Sequence, residues 1–129
     1  MQPGSERCVL VVDDEEAVRR LVCTILERAG FAVLEARNGA EALDAFQQHR
    51  GGIDLLLTDI LMPGMAGTEL AENIRKMDAN IPTLFMSAFC DTLDPQMKQF
   101  GCIAKPFTNT ELIDTIQTVL GSSTHTTTA

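Results

Sequence analysis

Strand-like and helix-like stretches alternate along this 129-residue chain and predict a doubly wound α/β fold, with a five-stranded parallel sheet and helices on both faces. Three observations carry the prediction. The run Cys8 to Val12 is apolar at every position, as in a strand buried on both faces of a parallel sheet. Behind it, apolar residues recur with the period of a helix, and the switch between the two patterns repeats along the chain. Four of the strand-like runs end in a charged or hydroxyl residue, at the sheet edge where open α/β folds place their chemistry.

Each element has a local reason. After Cys8 to Val12, the residues Val18, Leu21, Val22, Ile25 and Leu26 fall on one face of a helix closed by Gly30. Phe31 to Ala36 forms a second strand. A helix from Ala40 to His49 turns Ala42, Leu43 and Phe46 inward and stops at Gly51 and Gly52. The strand Ile53 to Thr58 delivers Asp59. Pro63 lacks an amide hydrogen and Gly64 and Gly67 tolerate positive φ, so the chain must turn just beyond that acid. Leu70, Ile74 and Met77 mark a third helix, and Ile81 to Met86 a fourth strand ending at Ser87. Asp91 to Gln99 reads as a short helix despite Pro95, and Cys102 to Ala104 as a brief fifth strand followed by Lys105 and Pro106. The last helix carries Leu112, Ile113, Ile116, Val119 and Leu120, with Thr108 or Asn109 as N-cap and Gly121 as stop. This division gives a flexible lead-in over residues 1–6, one domain over 7–121 and a disordered tail over 122–129.

A formal net charge of −8 argues against a nucleic-acid surface or direct contact with an anionic membrane, since either needs basic clusters. The apolar runs are of strand length, and the N-terminus lacks a charged segment followed by an apolar core. The expected location is therefore the cytoplasm. Cys8, Cys23, Cys90 and Cys102 follow no CxxC spacing and three of them lie in apolar segments, so buried free thiols are expected rather than disulfides or zinc ligands.

The strand ends gather Asp13 and Asp14, Asp59, Ser87 and Lys105. Taken singly, each has an ordinary explanation. Asp13 with Glu16 matches a capping box, Asp59 could cap a turn, Ser87 could sit in one, and Lys105 could be a solvated loop lysine. Together and in this order they describe something else. Carboxylates on one edge repel unless a cation joins them, and Mg2+ suits because it accepts a few carboxylates and phosphate oxygens together. With Lys105 as a point charge and Ser87 as a hydroxyl, the set reads as a phosphoryl-transfer site with an acidic nucleophile.

The motifs Val11-Val12-Asp13-Asp14-Glu15-Glu16, Thr58-Asp59-Ile60-Leu61-Met62-Pro63-Gly64-Met65-Ala66-Gly67, Met86-Ser87-Ala88 and Lys105-Pro106-Phe107 resemble those of response-regulator receiver domains of two-component signalling. The likeness spans residues 7–120 and implies a flavodoxin-like strand order 2-1-3-4-5. It implies that Asp59 accepts a phosphoryl group from a histidine kinase or a histidine phosphotransfer domain, and that the change alters binding to a downstream protein the sequence does not name. It further implies Mg2+ held by Asp13, Asp14, Asp59 and the backbone carbonyl of Leu61, with Ser87 and Lys105 on the phosphoryl oxygens. The wording around Asp59 and Ser87 also resembles receivers at the C-termini of hybrid histidine kinases.

Two departures from the family bear on mechanism. Where relatives carry an aromatic residue three positions before the lysine, this chain has Cys102, which cannot make the swing of a ring. Lys105 follows Ser87 by only 18 residues, which shortens the fourth-helix region. The positions two after Asp59 and two after Ser87, which tune hydrolysis in relatives, are Leu61 and Phe89, so slow self-dephosphorylation is expected. A rival reading is a phosphorylation-independent docking module on the same fold. A flavin binder is disfavoured by the acidic run Asp13 to Glu16, and a haloacid-type phosphatase by Leu61 where a second acid is needed.

Overall fold

The computed structural model describes residues 7–92 and 100–124. Five strands, β1 (Cys8–Val12), β2 (Ala32–Ala36), β3 (Leu55–Asp59), β4 (Thr83–Ser87) and β5 (Gly101–Ala104), form one sheet in the order β2-β1-β3-β4-β5. All four pairings are parallel, as the buried, alternation-free strands required. The helices are α1 (Glu16–Arg28), α2 (Gly39–Gln48), α3 (Gly67–Met77) and α4 (Asn109–Thr124), with a one-turn 3-10 helix at Cys90–Thr92. The helix expected over Asp91 to Gln99 lies mostly outside the described residues.

Successive side chains of each strand serve opposite layers. Leu10, Val12, Leu56 and Phe85 pack with Phe46, Leu70 and Ile74 from α2 and α3. Val9, Val11, Leu55, Leu57, Leu84 and Met86 pack with Val22, Leu26, Leu112 and Ile116 from α1 and α4. Burying each such side chain contributes roughly 1.5–3 kcal/mol, so the central strands anchor both layers.

Three expectations about these elements are corrected. Leu21 is 59% exposed, because the buried stripe of α1 runs through Arg19, Val22, Cys23, Ile25 and Leu26 instead. Gly121 does not stop the last helix, which continues to Thr124 and so takes in the first three residues of the expected tail. Cys90 and Cys102 are not free thiols but form a disulfide, with Cα atoms 5.9 Å apart. The 3-10 turn after β4 brings Cys90 beside β5, a proximity across 12 residues that spacing alone does not reveal. Cys8 and Cys23 remain free, the latter buried.

Candidate functional site

The acidic edge begins where β1 ends. Asp13 is fully buried; its backbone N–H donates to the Ala36 carbonyl (3.2 Å) and its Oδ1 accepts from the Glu15 N–H (3.0 Å). The capping-box explanation for Asp13 therefore fails: the residue flanking α1 is Glu15, with no side-chain capping bond. Asp14 is exposed at the rim.

Asp59 closes β3 and is 8% exposed. Its Oδ1 accepts from the Ile60 N–H at 2.9 Å, and the turn behind it closes through a Gly67 N–H to Ile60 carbonyl bond of 2.8 Å. Gly64 adopts φ +79°, the left-handed conformation that the Pro63-Gly64 pair allows. At Gly67 the constraint is space, since a Cβ there would run into the Asp59 carbonyl oxygen. Leu61, in the same turn, leaves its side chain 64% exposed.

Ser87 ends β4, nearly fully buried, and its Oγ accepts from the Phe89 N–H at 2.9 Å. Its carbonyl accepts from the Lys105 N–H at 2.9 Å, which ties the end of β4 to the residue after β5. Lys105 precedes Pro106 across a cis peptide bond. Its Nζ stands 3.4 Å from Asp13 Oδ2 and 3.4 Å from Asp59 Oδ1.

One carboxylate oxygen from each of Asp13, Asp14 and Asp59 falls within 4.8 Å of the others. Burial pushes the Asp59 carboxyl above its ordinary value, Lys105 opposes that rise, and the Asp13 charge adds to it. The Lys105 ammonium thus meets two of the three clustered acids, Asp13 and Asp59, and the hard, charge-dense oxygen set fits a divalent cation.

All the residues singled out in the sequence meet at this edge, Leu61 through its place in the turn. Arg19 was missed. Although on α1 it is only 6% exposed; its Nη1 donates to the Asp13 carbonyl at 3.1 Å and its Nε to Glu35 Oε1 at 2.9 Å. It thereby ties the acidic loop to α1 and β2. The available signal was an arginine adjoining the apolar stripe of a helix, a position that demands partners if buried.

The chain belongs to the response regulator receiver domain family, whose pattern it matches over residues 9–117. Among curated relatives, the Polar-differentiation response regulator DivK of Brucella anthropi is 33% identical over 91% of this chain and 98% of its own. The Sensor kinase CckA of Brucella abortus is 34% identical over 87% of this chain, which spans only 12% of that kinase. Among solved structures, the response regulator protein TrrA of Thermotoga maritima, in complex with Mg(2+)-BeF, superposes with a TM-score of 0.79 at 32% identity, covering 88% of this chain and 98% of TrrA. A second structure holds TrrA in complex with the histidine kinase ThkA. No helix among the described residues is long and apolar enough to cross a membrane.

Proposed function

We propose that this receiver domain is a signalling switch in which Asp59 accepts a phosphoryl group from a phosphohistidine donor. The observation that carries the reading is the cluster of Asp13, Asp14 and Asp59 carboxylates, two of which, Asp13 and Asp59, also pair with the Lys105 ammonium. An Asp59 carboxylate oxygen attacks phosphorus, the P–N bond of the donor breaks, and the imidazole leaves. Asp13, Asp14 and Asp59, with the Leu61 carbonyl, would hold Mg2+, which supplies positive charge to the phosphoryl oxygens. Lys105 pairs with one phosphoryl oxygen. The Ser87 hydroxyl, whose oxygen already accepts from the Phe89 N–H, keeps its own proton to donate to another.

The partner is a histidine kinase or histidine phosphotransfer domain, in keeping with the ThkA complex of the neighbour TrrA. An apolar hollow formed by Val18, Leu21, Val22, Pro106 and Phe107 opens beside Lys105 and suits a donor helix. We place the domain in the cytoplasm, either free-standing or as the receiver of a hybrid kinase of the CckA kind. Leu61 and Phe89 carry neither amide nor carboxylate to orient a water, so the acyl phosphate persists.

Intact-protein mass after incubation with acetyl phosphate tests this. The expected result is a Mg2+-dependent gain of one phosphoryl group, absent in Asp59→Asn and strongly reduced in Asp14→Asn, which still folds. The adduct should decay over minutes or longer once donor is removed. A folded protein that gains no phosphoryl group from acetyl phosphate or a phosphorylated phosphotransfer protein would favour the docking module instead.

A further inference from the structure

The Cys90–Cys102 disulfide lies wholly between the two residues that would grip a phosphoryl group. Cys90 is three residues after Ser87 and Cys102 three residues before Lys105. Ser87 is the junction: its Oγ accepts from the Phe89 N–H, its carbonyl accepts from the Lys105 N–H, and Cys90 Sγ lies 3.7 Å from that same carbonyl. The bridge therefore ties the segment just after the turn that holds the Ser87 hydroxyl covalently to β5, the strand that leads into Lys105. Both of its cysteines are only half-buried.

We propose that Cys90 and Cys102 form a thiol–disulfide exchange site whose substrate is a dithiol reductant, and whose oxidised form preorganises Ser87 and Lys105 for phosphoryl transfer. The inference rests on the phosphoryl-acceptor function and cytoplasmic location proposed above. In a reducing compartment, a disulfide of this exposure belongs to the redox-responsive kind rather than the permanently structural kind. One thiolate of the reductant attacks a bridge sulfur and forms a mixed disulfide, with the other cysteine leaving as thiolate. The second thiol of the reductant then displaces the first, leaving Cys90 and Cys102 as thiols and the reductant as its own disulfide. Two electrons and two protons pass from reductant to protein.

The other two cysteines do not compete. Cys23 is buried on α1, with its thiol pushed up to about 12 by burial and then by Glu35, and Cys8 opens β1, away from this turn. Opening the bridge removes the covalent link between the turn after Ser87 and β5, while the Lys105 N–H to Ser87 carbonyl bond still joins the two strand ends. Ser87 then holds its productive position for less of the time, and positioning is most of what this chemistry needs.

The test has two readouts on the whole chain. Alkylation under denaturing conditions, read by mass, should label two cysteines before treatment with dithiothreitol and all four after it. Phosphorylation by acetyl phosphate with Mg2+ should then run about fivefold slower in the reduced protein, and the double variant Cys90→Ser/Cys102→Ser should show the slow rate whatever the redox state. Four labelled cysteines at the outset would overturn the exchange site. Equal rates, or a faster reduced form, would overturn the coupling, as would a redox effect that survives in the double variant. Absence of phosphorylation in both states would overturn the phosphoryl-acceptor reading and the coupling with it, while the alkylation count still decides whether the bridge exchanges.

Discussion

Arg19 shows how a single buried charge can organise a site it does not enter. Its guanidinium joins the Asp13 carbonyl, at the end of β1, to Glu35 on β2, so the backbone presenting two acids is held from behind. Replacing it with methionine keeps much of the packing and removes every donor. Because Glu35 is about 40% exposed, water recovers part of the lost ion pair; the main loss is the buried Asp13 carbonyl. Arg19→Met should therefore cost about 1–3 kcal/mol in urea unfolding and slow phosphorylation of Asp59. Unchanged stability with an unchanged rate would show that the contact organises nothing. A lysine at this position should recover only part of either property, since it cannot fork to both partners.

Among the elements, α4 shows best how side-chain chemistry sets a boundary. Thr108 Oγ1 accepts from the Glu111 N–H at 3.1 Å, and Glu111 Oε1 accepts from the Thr108 N–H at 2.8 Å. This reciprocal pair makes Thr108 the N-cap and decides between it and Asn109. Thr108→Ala should destabilise the fold by about 1 kcal/mol, whereas Thr108→Ser should lose little. A comparable loss in both variants, measured by thermal or urea unfolding, would show that the methyl group matters more than the hydroxyl. The cap also bears on function, because it starts α4 within a few residues of Lys105 and so limits how far that lysine can wander. On the opposite layer, Gly67 starts α3 against the Asp59 carbonyl, so two helix starts frame the pocket.

For the whole molecule, two apolar layers share one sheet, and a titrating group buried in either layer links stability to pH. The Cys23 thiol, raised from 9.0 to about 12, stays protonated in the folded state where the unfolded chain would ionise. Its contribution is fully present below pH 9 and is lost as pH rises toward 12. Cys8 shifts in the same direction, through burial and then Asp54. At pH 10 the loss from Cys23 should be on the order of 1 kcal/mol relative to pH 8. Urea unfolding at the two pH values checks it, and Cys23→Ala, though less stable at both, should show a smaller pH-dependent drop. An identical drop in the variant would assign the alkaline loss to other groups.

Continuous apolar strands, helical periods between them and turn residues behind Asp59 were enough to determine the parallel α/β class, and the order of Asp13, Asp14, Asp59, Ser87 and Lys105 was enough to gather those residues at one edge as a candidate site. Those signals are local: strand burial shows in consecutive residues, and parallel topology brings strand ends to one edge without further instruction. Tertiary structure alone decided the inward turn of Arg19, the outward turn of Leu21, and the bond between Cys90 and Cys102. Each depends on what lies across space from the residue. Arg19 is tolerated inside only because Glu35 and the Asp13 carbonyl meet it, and the two cysteines pair only because a one-turn helix after β4 folds back against β5. Spacing along a chain carries the period of an element, but not the identity of the neighbour that packing supplies.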